Sequence, residues 1–487
     1  MPTPPSTISN RGKWMALIAA LLGWLFDGFE MGLFPLVGGD ALKELSPESG
    51  STWFSVIMAM FLIGAATGGV LFGWLGDKFG RVRAMALSIF TYSIFSGLCG
   101  LATEAWHVAV LRFIASLGMG GEWSLGVALI TEIWPGKSRA FIAGLIGAAA
   151  NVGFLLVNIL SVSLRTALGP DAPFPWRLLL IAGAAPALLV FFIRLFVPES
   201  ERWLHEKEKG TTTHWATRDL MGVLIGCAAA TGVVFVWSPL IETGFAVQIP
   251  VTIISLGIAL VGYMFPVWRY LQRSDKSSIA AGGKAFSSSA DAGSTIKRLL
   301  LGASLTGVAL LGTWGTIQWI QRWARELIKD GKGPRFGAEY VGMMIAGGAI
   351  FGTILAAVIA DKIGRRITYT LLCLGSLGAC LLLFREDMVY GPEFLWLSCL
   401  AGMVTAGFYG FFPFYLPELF RTRVRATSQG FAFNFGRILA AVGALQTSRL
   451  EEAFGFAKAC SALAFIYLIG VVIVWFGPET KGKPLPE

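Results

Sequence analysis

Apolar residues in this chain fall into long runs separated by short charged or glycine-containing punctuation, and each run approaches the roughly 20 residues that a helix needs to cross a bilayer core. Fourteen runs can be placed, near residues 14–38, 51–76, 83–103, 106–133, 139–164, 175–197, 219–240, 247–270, 298–320, 336–360, 367–384, 393–417, 426–448 and 453–476. None shows the alternation over about ten residues expected of an outer-membrane barrel strand. The pattern predicts an all-α integral membrane protein with about fourteen crossings.

The punctuation repeats. Residues 73–84 read GWLGDKFGRVRA and residues 357–368 read AVIADKIGRRIT, placing Asp77 and Asp361 284 positions apart, each 63 residues after the start of a run. EIWPGKSR (Glu132 to Arg139) returns as ELFRTRVR (Glu418 to Arg425) after 286 positions, and PES at 198–200 returns as PET at 478–480 after 280. Near-constant offsets predict two homologous six-helix halves, a plan on which many secondary transporters are built. The expected organisation is a cytoplasmic tail 1–13, a first half 14–204, a central insert 205–297, a second half 298–480 and a tail 481–487. The insert holds two extra apolar runs and a Ser/Gly/Ala-rich segment, 271–297, expected to be a flexible cytoplasmic loop.

Composition agrees with a membrane solvent: 55% of the 487 residues are apolar and 14% charged, and mean hydropathy is +0.67. The net charge of +9 reads as topology rather than as a polyanion site. With both termini in the cytoplasm, 25 of the 39 Lys and Arg lie inside, 11 outside and 3 within runs, and nucleic-acid binding is not expected. The segment RWARELIKDGKGPR (322–335) is the largest basic group left outside and runs against that rule. The polar N-terminal tail lacks the apolar stretch of a cleavable signal, so the first helix is the expected targeting element, into the plasma or inner membrane. The six Cys lie within apolar runs without a CxxC pattern, which predicts neither disulfide nor metal site. No cofactor is expected. No HExxH, Cys/His ligand set or nucleophile beside a base is present, so an enzyme is not expected.

An Asp at the cytoplasmic end of a helix, followed by a turn with Gly and two cations, can bond across to neighbouring helices when the inner face is closed. The knot matches G-x-x-x-D-R/K-x-G-R-R/K, the signature loop of the major facilitator superfamily, which the chain resembles over essentially its whole length outside 205–297. Gly73, Asp77, Lys78, Gly80 and Arg81 fit, while Val82 departs; in the second copy Asp361, Lys362, Gly364, Arg365 and Arg366 fit, while Ala357 replaces the first Gly. These residues, with Glu132, Arg139, Glu418 and Arg425, are the expected gate. PESERWL (198–204) and PETKG (478–482) resemble sugar porters; DGFE (27–30) and GMGGEW (118–123) are similar to acid and metabolite:proton symporters. The Gln-Gln-Leu-Ser signature of sugar porters is absent, GTWGTIQWI (312–320) standing in its place, and a two-helix insert resembles the sialate:proton symporters. The resemblance implies proton-coupled uptake of a small organic or sugar acid by alternating access, with a sugar:proton symporter or a transporter-like sensor as alternatives.

Charges within apolar runs are the expected binding residues, since each costs at least ~2.5 kcal/mol at mid-membrane. Asp27 and Glu30, at i, i+3, are expected to share a proton, although Glu30 could instead lie wet at the outer interface and the pair could coordinate sodium. Arg112 and Glu122 stand ten residues apart in the fourth run, among Gly118, Gly120 and Gly121, which allow close helix approach. Arg437 suits a carboxylate ligand, or else a structural pair with Glu122 or Asp27. Asn151, Asn158, Gln318, Tyr409, Tyr415 and Asn434 are weaker candidates for hydrogen bonds to a ligand, and Arg194 is expected to snorkel. The partners expected are a small-molecule substrate and membrane lipid, with the protein a monomer.

Overall fold

The computed structural model describes residues 9–134, 139–169, 175–238, 243–280, 289–328 and 333–486, and among these no strand occurs. The first half contains α1 (Asn10–Leu45), α2 (Gly50–Phe79), α3 (Arg81–Leu98), α4 (Ala105–Ile133), α5 (Arg139–Leu168), α6 (Trp176–Ala182) and α7 (Ala187–Phe196). A short surface helix, α8 (Glu201–Glu208), leads to the insert, α9 (Leu220–Trp237) and α10 (Phe245–Ala280). The second half contains α11 (Ser289–Gly315), α12 (Ile320–Leu327), α13 (Gly337–Ile363), α14 (Arg365–Leu383) and α15 (Pro392–Leu419). It ends with α16 (Arg425–Asn434), α17 (Gly436–Phe454), α18 (Phe456–Ala464) and α19 (Ile466–Ile473).

Every predicted run is helical where it is described. Twelve helices among the described residues are long and apolar enough to cross a membrane. The other two runs, 175–197 and 426–448, are broken, at Gly183–Pro186 and at Phe435. The expectation of a loop over 271–297 requires correction: α10 continues to Ala280 and α11 begins at Ser289, so only 281–288 lie outside the described residues. Alanine and lysine in that stretch support a helix even where apolar content falls. The loop 135–138, Lys329 and Lys332, and the side chain of Arg194 also lie outside the described residues.

The two halves meet along two seams. In one, α5 packs on α13 and α15; in the other, α2 packs on α16 and α17. Small residues allow such approach: a Cβ on Gly430 would stand 1.8 Å from the Gly69 carbonyl oxygen across the second seam, and one on Gly120 1.9 Å from that of Ala65 within the first half. The predicted close approach at α4 is therefore present, as in membrane bundles generally. The insert forms an antiparallel hairpin over the second seam, and the Tyr263 and Thr67 hydroxyls are hydrogen-bonded at 2.7 Å. Its other face presents Leu224, Ile225, Ile253 and Ile254 outward, as expected of side chains against lipid.

The repeated PES and PET have a structural role that the spacing alone did not disclose. Gly80 joins α2 to α3 with φ +113°, and Gly364 joins α13 to α14 with φ +101°. Such one-residue joints expose the first N–H groups of the following helix. Glu199 accepts from the Arg81 N–H at 2.9 Å, and Glu479 accepts from those of Arg365 and Arg366 at 2.9 and 3.2 Å. Burial pushes the Glu199 carboxyl above its ordinary value. Burial acts the same way on Glu479, but the N–H groups of Arg365, Lys481 and Arg366 outweigh it and hold that carboxyl low.

Both joints require glycine. A Cβ on Gly80 would lie 2.4 Å from Oε2 of Glu199, the oxygen that accepts from the Val82 N–H, and one on Gly364 2.9 Å from the capping oxygen of Glu479. Gly80→Ala and Gly364→Ala are each expected to destabilise by about 1–3 kcal/mol through the positive φ. Gly80→Ala, with the harder clash, should lower the thermal unfolding midpoint in detergent further; equal midpoints to wild type in both would exclude this account of the joints.

Candidate functional site

At the end of the bundle that carries both termini, charges from the two halves interlock with little exposure. Arg81, on α3, donates to Asp77 Oδ1 at 2.6 Å, to the Gly76 carbonyl at 2.7 Å and, across the seam, to the Thr422 carbonyl at 2.9 Å. Asp77 Oδ2 accepts from the backbone N–H and hydroxyl of Thr427 at 2.9 and 2.6 Å, at the start of α16. A side chain at Gly73 would meet Ala426 and Thr427 backbone at 2.7 Å, so its absence lets that helix start close on α2. Glu132 binds Arg425 of the other half at 2.9 Å and accepts from Ser200. Glu418 holds Arg365 at 2.7 Å and, from the first half, Arg139.

The residues predicted for a gate thus interlock at this end, with one correction. Asp361 was expected to latch as Asp77 does, but it is exposed and reaches the first half only as a charge near Arg139, with no side-chain hydrogen bond or ion pair among the described residues. The partner of Asp77 is the N-terminus of α16; the matching start, that of α5, carries Arg139, which turns to Glu418 instead. Lys78 and Lys362 are peripheral. The Lys78 ammonium reaches the Thr217 hydroxyl at 3.3 Å, and the Lys362 carbonyl accepts from Lys481 at 2.6 Å. Arg366 is bound to the Gly477 carbonyl at 2.7 Å.

Midway along the bundle, between the halves, lies a cavity of about 110 Å³. Helix α1 contributes Trp24, Asp27, Gly28 and Met31, which share one face at i, i+3, i+4 and i+7. Asn151 and Phe154 come from α5, Trp123 from α4, and Tyr409 and Thr405 from α15. The interruption after α11 brings in Thr313, Trp314, Gln318 and Gln321; the break at Phe435 turns Phe433 and Arg437 inward. Trp123 and Phe433 stack at 3.7 Å with their planes 3° apart.

The donors of this cavity are unmatched. Arg437 Nε and one terminal nitrogen, and the indole N–H groups of Trp24, Trp123 and Trp314, are buried without a hydrogen-bond partner among the described residues. Leaving a buried donor unsatisfied costs about 1–3 kcal/mol, more if charged. Asp27 Oδ1 is similarly unpartnered, and its charge is in electrostatic contact with Arg437 and, more weakly, with Glu30. The chemistry offered is that of an anion cradle: one guanidinium, several N–H donors and flat aromatic walls.

Other candidates lie elsewhere. Glu30 is 1% exposed and forms an ion pair with Arg112, itself placed against the Phe34 and Phe61 rings. Glu30 thus joins α1 to α4 through Arg112 while remaining in electrostatic contact with Asp27, and its burial rules out the wet placement. Neither Glu30 nor Arg112 lines the cavity. Glu122 sits behind the wall: Gly23 leaves room for its carboxylate, and neither oxygen has a partner. Asn151 lines the cavity but donates to its own helix, to Gly147 O at 2.9 Å. Asn434 lies outside the lining, donating to the Gly120 and Gly430 carbonyls at 3.2 and 3.0 Å. Asn158 accepts from Gln321 at 2.7 Å, and Tyr415 donates to the Pro478 carbonyl at 3.0 Å. Gln318 and Tyr409 line the cavity as expected. Sequence reasoning passed over Trp24 and Trp123, though their spacing from Asp27 and Glu122 would have placed them at the same level.

Beyond Trp314, Gln318 and Gln321, which belong to both, the cavity continues into a vestibule of about 920 Å³ that opens at the end opposite the termini. The bundle is closed on one side and open on the other.

The family described as "Sugar (and other) transporter" matches residues 15–235 and 336–487. The cis,cis-muconate transport protein of Acinetobacter baylyi is 26% identical over 486 residues, covering 98% of each chain. The sialic acid transporter NanX of Escherichia coli is 33% identical over 210 residues, 42% of this chain and 48% of that protein. Among solved structures, the major facilitator superfamily proton:xylose symporter XylE, bound to 6-bromo-6-deoxy-D-glucose, superposes with a TM-score of 0.69 at 19% identity, covering 97% of this chain and 98% of that one.

The unequal roles of the two knots can be measured. In a background without the six native cysteines, a cysteine at Thr405 should label faster from the terminus-bearing side in Asp77→Asn, because breaking a buried network by removing one partner's charge typically costs about 3–5 kcal/mol. Asp361→Asn should leave labelling near the wild-type rate. Equal acceleration by both would mean that the exposed Asp361 is as much a latch as Asp77.

Proposed function

We infer that this chain, which belongs to the sugar (and other) transporter family of the major facilitator superfamily, takes up a small organic acid by proton-coupled symport and alternating access. The observation that carries this reading is Arg437, a buried guanidinium with two nitrogens unmatched, facing the central cavity beside unmatched indole N–H groups. A carboxylate supplies the acceptors that this set lacks, held in a forked geometry that a neutral sugar cannot reproduce. A relative at 98% coverage is named for muconate and another for sialic acid, both carboxylic acids. The walls formed by Trp24, Trp123, Phe154 and Phe433 favour an acid with a flat, apolar body over a polyhydroxylated one. The cavity's small size, against the ~300–1,000 Å³ of drug-sized sites, agrees with a compact ligand.

Coupling follows from competition for one cation. Asp27 and the substrate carboxylate both seek Arg437, and two anions on one guanidinium repel. Substrate binds best when Asp27 carries a proton; loss of that proton restores the Asp27 charge and expels the substrate. A lone carboxylate facing an arginine offers few of the several oxygen ligands that a hard metal cation takes, which favours the proton over sodium. The gate at the terminus-bearing end would break as the vestibule closes, exposing the cavity to the other side. The excess of Lys and Arg at the terminus-bearing end supports cytoplasmic termini in a plasma or inner membrane. One chain encloses the whole cavity, so a monomer suffices.

Two experiments test this. Arg437→Lys keeps the charge but loses the fork, and should weaken carboxylate binding about 10- to 100-fold while neutral sugars compete poorly with benzoate or muconate. Full competition by glucose with none by organic acids would replace the acid assignment with a sugar one. Asp27→Asn should abolish uptake driven by a pH gradient in proteoliposomes yet retain counterflow, since the loaded carrier can still reorient. Uptake that still follows the pH gradient in this variant, or wild-type uptake that follows sodium, would remove Asp27 from the coupling step.

A further inference from the structure

The basic segment 322–335 runs against the charge rule that orients the rest of the chain, and the central cavity makes no use of it. Its described part lies at the rim of the vestibule. Arg322 and Arg325 project from α12 while Trp323 and Ala324 of the same short helix are buried, so the packing of its apolar face fixes the direction of its cations. Arg335 enters from the start of the next helix, and Lys43 and Arg165 complete the cationic lining.

The acids of the same wall leave much of this charge unanswered. Asp40 is shared by Lys43 at 3.5 Å and Arg165 at 3.1 Å, and Glu339 faces Arg165 at 3.9 Å. Arg322 approaches Glu326 at 3.7 Å. Glu48 is a further, exposed carboxylate of the lining. Arg325 and Arg335 are exposed and have no carboxylate partner among the described residues; Arg335 donates only to the Arg165 carbonyl, at 3.3 Å. Among the described residues, five cations and three acids, Asp40, Glu48 and Glu339, line the vestibule that leads to the cavity of Arg437, with Glu326 just outside the lining. A low-dielectric cleft lined by an excess of one sign concentrates ions of the other sign and speeds their entry.

We propose that the vestibule rim is a second, outer anion site, in which Arg325 and Arg335 capture the substrate carboxylate from solution and pass it past Gln318 and Gln321 to Arg437. This rests on the organic-acid function inferred above. The outer site is open and wet, so it acts on capture and is weakened by salt, whereas Arg437 is buried and screened little. A chain whose basic residues otherwise mark its topology thus carries cations on the opposite side for a reason of entry.

The test uses full-length protein in right-side-out proteoliposomes with benzoate as the probe. For Arg325→Gln/Arg335→Gln, uptake at low benzoate concentration should fall about tenfold in low salt, with KM rising more than kcat falls, and the salt dependence seen in wild type should flatten. Arg325→Lys/Arg335→Lys should restore both, which a purely structural role for Arg335 would not. Wild-type KM and salt dependence in the Gln variant overturn the outer site alone, provided that benzoate quenches the cavity tryptophans of the wild type. Failure of benzoate and muconate to quench or to be taken up by wild type overturns the organic-acid function and the outer site together.

Discussion

A charge inside an apolar bundle must be answered by another charge or by a dense set of hydrogen bonds, because burial removes the water that would otherwise solvate it. In this protein the answer differs by level. At the terminus-bearing end Asp77, Arg81 and Glu132 of the first half answer one another, Glu132 also answers Arg425 of the second, and the bundle is shut there. At mid-height Arg437 and the indoles are only partly answered, and the bundle is open there. The same constraint therefore closes one end and leaves unmatched hydrogen-bond donors in the middle.

These charge pairs fall into two kinds, those that join the halves and those within one half. Interactions between the halves at the gate are specific but few, consisting of Asp77 with Thr427, Arg81 with the Thr422 carbonyl, Glu132 with Arg425 and Arg139 with Glu418. Elsewhere the seams combine glycines set closely against backbone with a few hydrogen bonds, such as Asn434 to the Gly120 carbonyl and Gln321 to Asn158. The Glu30–Arg112 pair, by contrast, joins two helices of the same half and holds that half together as a unit. Charge pairs within a half make it rigid, while pairs between halves can be exchanged for other partners.

The hairpin of α9 and α10 adds a constraint that a twelve-helix plan lacks. Tyr263 bonds to Thr67 of the first half and lies edge-on to Phe435, the residue at which the second half's penultimate transmembrane segment breaks. It therefore touches both halves at the seam that any opening of the gate must disturb. At its terminus-bearing end, Arg273 pairs with Asp219 and donates to the His214 carbonyl at 2.6 Å, so the hairpin is closed on itself there.

The fold class and the duplication were legible in the sequence, because long apolar runs have a single stable solution in a bilayer and because the offset between the two knots is local information. The charges that interlock at the terminus-bearing end were legible for the same reason. The function of the knot glycines was not: that PES and PET cap the helices following Gly80 and Gly364 depends on chain segments more than a hundred residues away. Equivalence by repeat also misled at Asp361, since symmetry in sequence does not ensure that the facing helix offers the same donors. Asp27, Glu30, Arg112 and Glu122 were all visible as charges in apolar runs. Which of them pairs, which faces the cavity and which stands behind its wall was decided by the rotation of α1 and α4 about their axes, to a precision that spacing cannot supply. The pattern along the chain determined which residues had to be buried in the membrane; only tertiary packing determined which partner each found there, because partners for buried charges come from other helices.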